Sequence, residues 1–174
     1  ERKKMKILNK IITTYIIPKL WCPSLLRRKL LNRIGAEIDI NVEIRPNVFF
    51  NSPKIKIGSG SFINRYCKLF SAHIDSGKII IGKNVFIGMD CLITCITHEI
   101  NNEISHKRAG KNEYKSIIIE DGCWIGARVT ILPGIRIRKG CIIAAGAVVT
   151  KDTCANSLYA GVPAKKIKNL TSGF

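Results

Sequence analysis

The chain has 174 residues, enough for one domain with a short appendage and a real buried core. Apolar residues make up 46% and aromatics only 7%, and isoleucine dominates, a β-branched excess that favours strands over helices. The 29 Lys and Arg against 12 Asp and Glu give a net charge of +17, a surface for anions; but aromatics are not interleaved with the basic residues, so no stacking platform is present and no nucleic-acid partner is expected.

Seven cysteines without the density of a disulfide scaffold point to a reducing compartment, so the expected location is cytoplasmic. No apolar run approaches the ~20 residues of a membrane-spanning helix. Residues 1–33 form the first segment. Ile7, Ile11, Ile12, Tyr15 and Ile16, then Leu26, Leu30, Leu31 and Ile34, follow helical spacing, and Pro18 and Pro23 break the segment in two. It carries ten Lys and Arg against one acid. One reading makes it a pair of helices capping the open end of the domain that follows. The other makes it an amphipathic segment in peripheral contact with an anionic membrane, at its inner face.

From residue 34 to 168 the pattern changes. Ile34 and Ile40 suggest a first, irregular coil. Ile57, Ile63, Leu69, Ile81, Ile87 and Ile93 then share a six-residue frame, with Val85 and Cys91 two positions before an isoleucine. Residues two apart share one face of a strand, so each hexad offers two inward side chains. Between Ile93 and Ile119 the frame slips by two, across a polar stretch that predicts an excursion loop over 98–116. The beat resumes as Ile119, Ile125, Ile131, Ile137, Ile143 and Val149, preceded by Cys123, Val129, Ile135, Cys141 and Ala147. Gly122, Gly126, Gly134, Gly140 and Gly146 fall at the corners, where positive φ is expected. Hexads bury their faces only by stacking, so the pattern predicts an all-β, parallel β-helix with three hexads in each coil of about 18 residues. Ile119 should then stack on Ile137. Residues 169–174 read as a tail.

Several polar and sulfur residues have plain packing explanations in this frame. Cys67, Cys91, Cys123 and Cys141 take the small inward slot. Cys91 and Cys95 lack a zinc-finger partner pair, so no metal site is expected. His73, counted from Leu69, takes an inward slot and reads as an interior histidine. His106 reads as solvated. His98 takes an outward place where the chain leaves the coil.

Three stretches together carry a resemblance: Trp124-Ile-Gly-Ala-Arg-Val-Thr-Ile-Leu-Pro-Gly, Ile143-Ala-Ala-Gly-Ala-Val-Val-Thr-Lys151, and Ala160-Gly-Val-Pro-Ala-Lys165. They resemble the hexapeptide-repeat acyltransferases, most closely the branch of the maltose, galactoside and capsular-polysaccharide O-acetyltransferases. The likeness runs over about residues 34 to 168. It implies a left-handed β-helix, a homotrimer with active sites between subunits, and acetyl-CoA as donor co-substrate. His98, in Ile96-Thr-His-Glu, matches the catalytic histidine. Asn64, in Phe62-Ile-Asn-Arg, matches an acceptor-side asparagine. Trp124, Ala127, Ala145, Thr150, Lys151, Lys165 and Lys168 match positions lining or ending the coenzyme A groove. Two acceptor-side positions depart: Tyr66 stands where the family has a second asparagine, and an acidic residue falls near Ala72, with Asp75 or His73 as replacement.

The activity implied is transfer of an acetyl group to a hydroxyl of a sugar or surface-polysaccharide unit. A neutral imidazole, with an ordinary pKa of about 6.5, accepts the hydroxyl proton near neutral pH. An N-acetyltransferase of an amino sugar is the alternative on the same scaffold. A metal-dependent hydratase like the gamma carbonic anhydrases is the remote one, because His73, His98 and His106 do not match its ligand spacing. Lys165, Lys166 and Lys168 read either as a solvated charge run or as a cradle for phosphates.

Overall fold

The computed structural model describes residues 11–19, 21–103 and 106–170. Ile7, with the rest of 1–10, lies outside them, as does 171–174 of the expected tail. Short strands stack in parallel into three sheets, the faces of an all-β, left-handed β-helix of triangular section. The first face stacks Glu37–Ile38, Ile55–Ile57, Ile79–Ile81, Ile117–Ile119 and Arg136–Ile137. The second stacks Glu43–Ile44, Phe62–Ile63, Phe86–Ile87, Trp124–Ile125, Ile142–Ile143 and Ser157–Ala160. The third stacks Phe49–Phe50, Lys68–Phe70, Leu92–Thr94, Thr130–Ile131 and Val148–Val149. We number the corners by the face they follow, so the second corner joins the second and third faces.

Backbone pairing between coils satisfies the strands, and side chains fill the inside. Ile119 pairs with Ile137, Ile125 with Ile143 and Ile131 with Val149, as the hexad frame requires. The inward isoleucines of successive coils are fully buried, and Cys67, Cys91, Cys123 and Cys141 fill the smaller slots beside them. Each buried aliphatic contributes about 1.5–3 kcal/mol.

Two insertions at the third corner account for the irregular spacing. Ile57 pairs with Ile81, and Ile81 with Ile119, so residues 71–78 and 95–116 are looped out between coils. The first insertion corrects the reading of His73: it lies on an extended corner with the short 3₁₀ turn Asp75–Gly77, exposed and outside the core. The hexad holding it never becomes a face. The first coil is corrected too. Its inward residues are Ile38, Ile44 and Phe50, while Ile40 is 75% exposed and Ile34 follows the helix Ser24–Arg33.

That helix, α1 (Ser24–Arg33), closes the open end with side chains that imitate a further coil. Asn32 donates from Nδ2 to the Ile38 carbonyl at 2.8 Å and accepts the Ile38 amide at 2.9 Å, completing a rung. The Ser24 hydroxyl accepts the Ile44 amide at 2.9 Å. Arg27 is buried and donates to the carbonyls of Ile17, Lys19 and Ile44 at 2.7–3.0 Å, so its charge is solvated by backbone. The other half of the segment shows a π-helical turn, Ile12–Ile16.

Candidate active site

The second insertion is not an open loop but an antiparallel hairpin, strands Ile96–Ile100 and Ala109–Tyr114, projecting as an arm from the third corner. Its base is tied to the coils. The Cys95 amide donates to the Phe70 carbonyl at 2.8 Å, the Lys115 amide to the Cys95 carbonyl at 2.9 Å, and the Lys78 amide to the Ser116 hydroxyl at 3.0 Å. The Tyr114 side chain lies over Gly77, linking the arm to the corner below it.

His98 sits on the outgoing strand, exposed, beside a register shift between His98 and Ile100. Its Nδ1 lies 3.2 Å from the Gly110 carbonyl oxygen across the arm. A carbonyl only accepts, so Nδ1 carries the proton and, in the neutral ring, Nε2 is left as the acceptor. Gly110 has a second role: a Cβ there would meet the Glu99 carbonyl oxygen at 3.0 Å, so glycine permits the close approach of the strands. Nothing in the hexad frame singles out Gly110, because its importance depends on the cross-strand register.

Asn64 and Tyr66 lie elsewhere, on the second corner. The Asn64 amide donates to the Ile87 carbonyl at 3.0 Å, and its Oδ1 accepts the Arg65 amide at 2.8 Å. Tyr66 holds φ at +65° with its side chain 54% exposed, and it borders a cavity of about 450 Å³ with Phe49, Lys68 and Arg128. Asp75 is on the third corner, on the side of the His98 arm. Lys54 and Lys78 approach its carboxylate at 2.9 and 3.1 Å, and their hydrogen bonds hold its pKa below the usual aspartate value.

The donor-side candidates divide in the same way. Trp124 points outward from the second face, in register with Phe86 and Ile142. Phe86 in turn stacks on Phe62 at 4.9 Å, and Arg45 lies over the Phe62 ring. Ala127 and Ala145 lie on the second corner, coils above Asn64. There Gly126 corrects the positive-φ expectation. Arg128 holds the left-handed backbone instead, while a Cβ on Gly126 would sit 2.5 Å from the Ala145 amide nitrogen. Thr150 and Lys151 lie on the third corner. Lys165 and Lys168 belong to the strand Lys165–Asn169, which folds back antiparallel on Ser157–Ala160 at the rim of the second face. Within one chain, His98 and Asn64 therefore stand on different corners, a face apart.

Most of the thiols are placed for packing. All seven cysteines are free, and six are buried. Burial pushes the thiol of Cys95 up to about 11 and that of Cys123 up to about 12, so both stay protonated and unreactive. Among the described residues no three His, Cys, Asp or Glu converge to hold a metal ion. His73, His98 and His106 are each exposed at separate places.

Residues 78–97 and 116–151 match the family described as hexapeptide repeat of succinyl-transferase. The chain is 33% identical over 137 residues to the galactoside O-acetyltransferase of Lactococcus lactis, covering 78% of this chain and 63% of that protein. It is 30% identical over 145 residues to the galactoside O-acetyltransferase of Escherichia coli, covering 83% of this chain and 68% of that one. This chain therefore spans less than two thirds of the Lactococcus protein. In three dimensions it is similar to a galactoside acetyltransferase solved in complex with coenzyme A, with a TM-score of 0.81 and 26% identity over 97% of this chain and 82% of that one.

Proposed function

The chain belongs to the hexapeptide-repeat acyltransferases, in the branch of the maltose and galactoside O-acetyltransferases, and from that premise we propose that it moves an acetyl group from acetyl-CoA to a sugar hydroxyl, with His98 as general base. The observation that carries the role of His98 is the bond from its Nδ1 to the Gly110 carbonyl, which leaves Nε2 as the accepting nitrogen on an exposed ring. Nε2 takes the proton as the sugar oxygen attacks the thioester carbonyl. The tetrahedral intermediate then collapses, breaking the carbon–sulfur bond. The imidazolium returns its proton to the departing sulfur, and no enzyme acyl intermediate is needed.

In this reading Trp124, Ala127 and Ala145 line the donor groove, with Thr150 and Lys151 at its far corner. Lys165 and Lys168, on an exposed rim strand, meet phosphate groups as mobile point charges. Asn64 and Tyr66 face the acceptor, and Asp75 meets it only from the side of His98. Since these groups occupy different corners, a complete site joins the His98 arm of one subunit to the second corner of its neighbour. A homotrimer supplies that arrangement three times over. The outward aromatic ladder of Phe62, Phe86 and Trp124 supports such a neighbour, because it offers an apolar surface on one face.

A second contact has an observation of its own. Ile11, Tyr15, Trp21, Leu25 and Leu26 are each exposed in the first segment, which also carries Lys19, Arg28, Lys29 and Arg33. Apolar and aromatic side chains mixed with cations suit peripheral attachment to an anionic membrane from the cytoplasmic side. No helix among the described residues is long and apolar enough to cross a membrane.

Acetyl-CoA offered with a panel of sugars, amino sugars and oligosaccharides, with free thiol as the readout, tests the activity. Acceptor-dependent thiol release with a hydroxyl acceptor is expected. Transfer to amines alone would establish N-acetylation instead.

A further inference from the structure

The second corner bears a ladder of left-handed residues, one per coil: Asn47 at φ 61°, Tyr66 at 65°, Asp90 at 60°, Arg128 at 57° and Gly146 at 72°. Each stands three positions before an inward residue. The equivalent positions on the first corner are Gly60, Asn84, Gly122, Gly140 and Asn156, the residue types that adopt positive φ most readily. Tyr66 and Arg128 break that economy. Both keep large side chains on strained backbone, and both border the same cavity of about 450 Å³, within the range of small-molecule sites.

The cavity has a definite chemistry. Tyr66, which is exposed, and Phe49 bring aromatic rings to the lining, of the kind that pack on the C–H face of a pyranose. Lys68 makes no ion pair among the described residues. Arg128 is paired with Asp90 at 3.4 Å, and its side chain is 80% exposed. A pair so open to water holds its members weakly, so the guanidinium is free to turn to a ligand, whose carboxylate or phosphate it matches in a two-pronged bond. Two cations against one carboxylate leave the cavity positive.

We propose that this cavity is the acceptor subsite and that it selects a sugar carrying a fixed negative charge, a carboxylate or a phosphate. The inference rests on the acetyl-transfer reading above. It fits the position of the cavity, beside Asn64 on the corner that holds Ala127 and Ala145 in higher coils. Asp75, offered as the replacement for the acidic residue near Ala72, lies outside the lining of the cavity and is paired with Lys54 and Lys78.

Calorimetric titration in the presence of coenzyme A tests the proposal, with a neutral hexopyranoside, the matching uronate and the matching sugar phosphate as probes. Wild-type protein should bind one of the two charged sugars at least about tenfold more tightly than the neutral one, the size expected of a charge-assisted hydrogen bond. The preference should fade at high salt. It should collapse in the double variant Lys68→Ala, Arg128→Gly. Glycine relaxes the left-handed position, so that variant should fold at least as well, and its thermal midpoint checks this. Whether uronate or phosphate is preferred identifies the charged group. Equal affinity for all three sugars, or a preference that survives the double variant, would overturn the proposal. Thiol release measured alongside separates it from the parent reading. Charge-selective binding without acetyl transfer would leave the anionic-sugar site and remove the transferase reading, whereas transfer without charge preference would do the reverse.

Discussion

His98 is exposed and fills no part of the core, so its orientation depends on few contacts, chief among them the hydrogen bond to the Gly110 carbonyl. Gly110→Ala keeps that carbonyl but forces a Cβ towards the Glu99 backbone at 3.0 Å. The arm must shift, and the ring with it. Misplacing a catalytic group by a fraction of an ångström to one ångström costs roughly ten- to a hundredfold in rate. Turnover should fall by that amount while the melting temperature scarcely moves, because the arm lies outside the coils. Unchanged turnover would mean that the Gly110 carbonyl does not set the ring. At this scale the sequence offers a candidate where a residue type and its flanking motif coincide, as for His98, Asn64 and Trp124. Gly110, Lys68 and Arg128 escape notice for a physical reason: their significance lies in a cross-strand partner or a φ angle, and neither is visible before the register is known. His73 misleads because it sits in frame, in a hexad that the corner loops out.

Individual coils are cemented by hydrogen bonds between corners as well as between strands, and Glu120 shows the effect on the first corner. It accepts from Arg136 at 3.1 Å, Arg138 at 3.3 Å and the Lys139 amide at 3.0 Å, joining one coil to the next. Burial alone would raise its carboxyl pKa, but the bond from Arg136, the Lys139 amide and the charge of Arg138 together hold it below the ordinary value of 4.5. The folded state thus binds fewer protons than the unfolded chain near that value. The stabilisation is complete above pH 4.5 and is lost as pH falls through the lower folded value. Glu120→Gln should cost about 1 kcal/mol at neutral pH. It should also flatten the loss of stability in acid, which urea unfolding at a series of pH values measures. An unaltered acid limb would exclude Glu120 as its source. The same coils show why their frame was readable from Ile119 onward and less so before Ile57. Uninterrupted hexads repeat the inward pair without error, whereas Ile34 lies six residues before Ile40 by coincidence, at the end of α1 rather than on a face. The hairpin of the arm was hidden because its exposed strands bury almost nothing and so lack an apolar pattern.

Taken as a whole, the chain has its candidate site residues on separate corners and one apolar ladder facing outward, an arrangement that the proposed reading completes with a second subunit. Light scattering should therefore give three times the 19.4 kDa chain mass at micromolar concentration, and a monomer or dimer mass would contradict the trimer. The net charge of +17 fits the same picture, since the proposed donor and acceptor are both negative. The central claim is acetyl transfer by His98 in a site completed by the second corner of a neighbouring subunit, and subunit mixing tests it most directly. His98→Ala alone should lose about 10²–10⁴ in kcat while folding and acetyl-CoA binding persist, and Asn64→Ala should be similarly impaired. When the two variants are unfolded, mixed in equal amounts and refolded together, random assembly pairs an intact His98 with an intact Asn64 in about a quarter of the sites. Recovery of about a quarter of the wild-type rate is the predicted result; a mixture no more active than its components, or a His98→Ala enzyme keeping more than about a third of wild-type turnover, would contradict it.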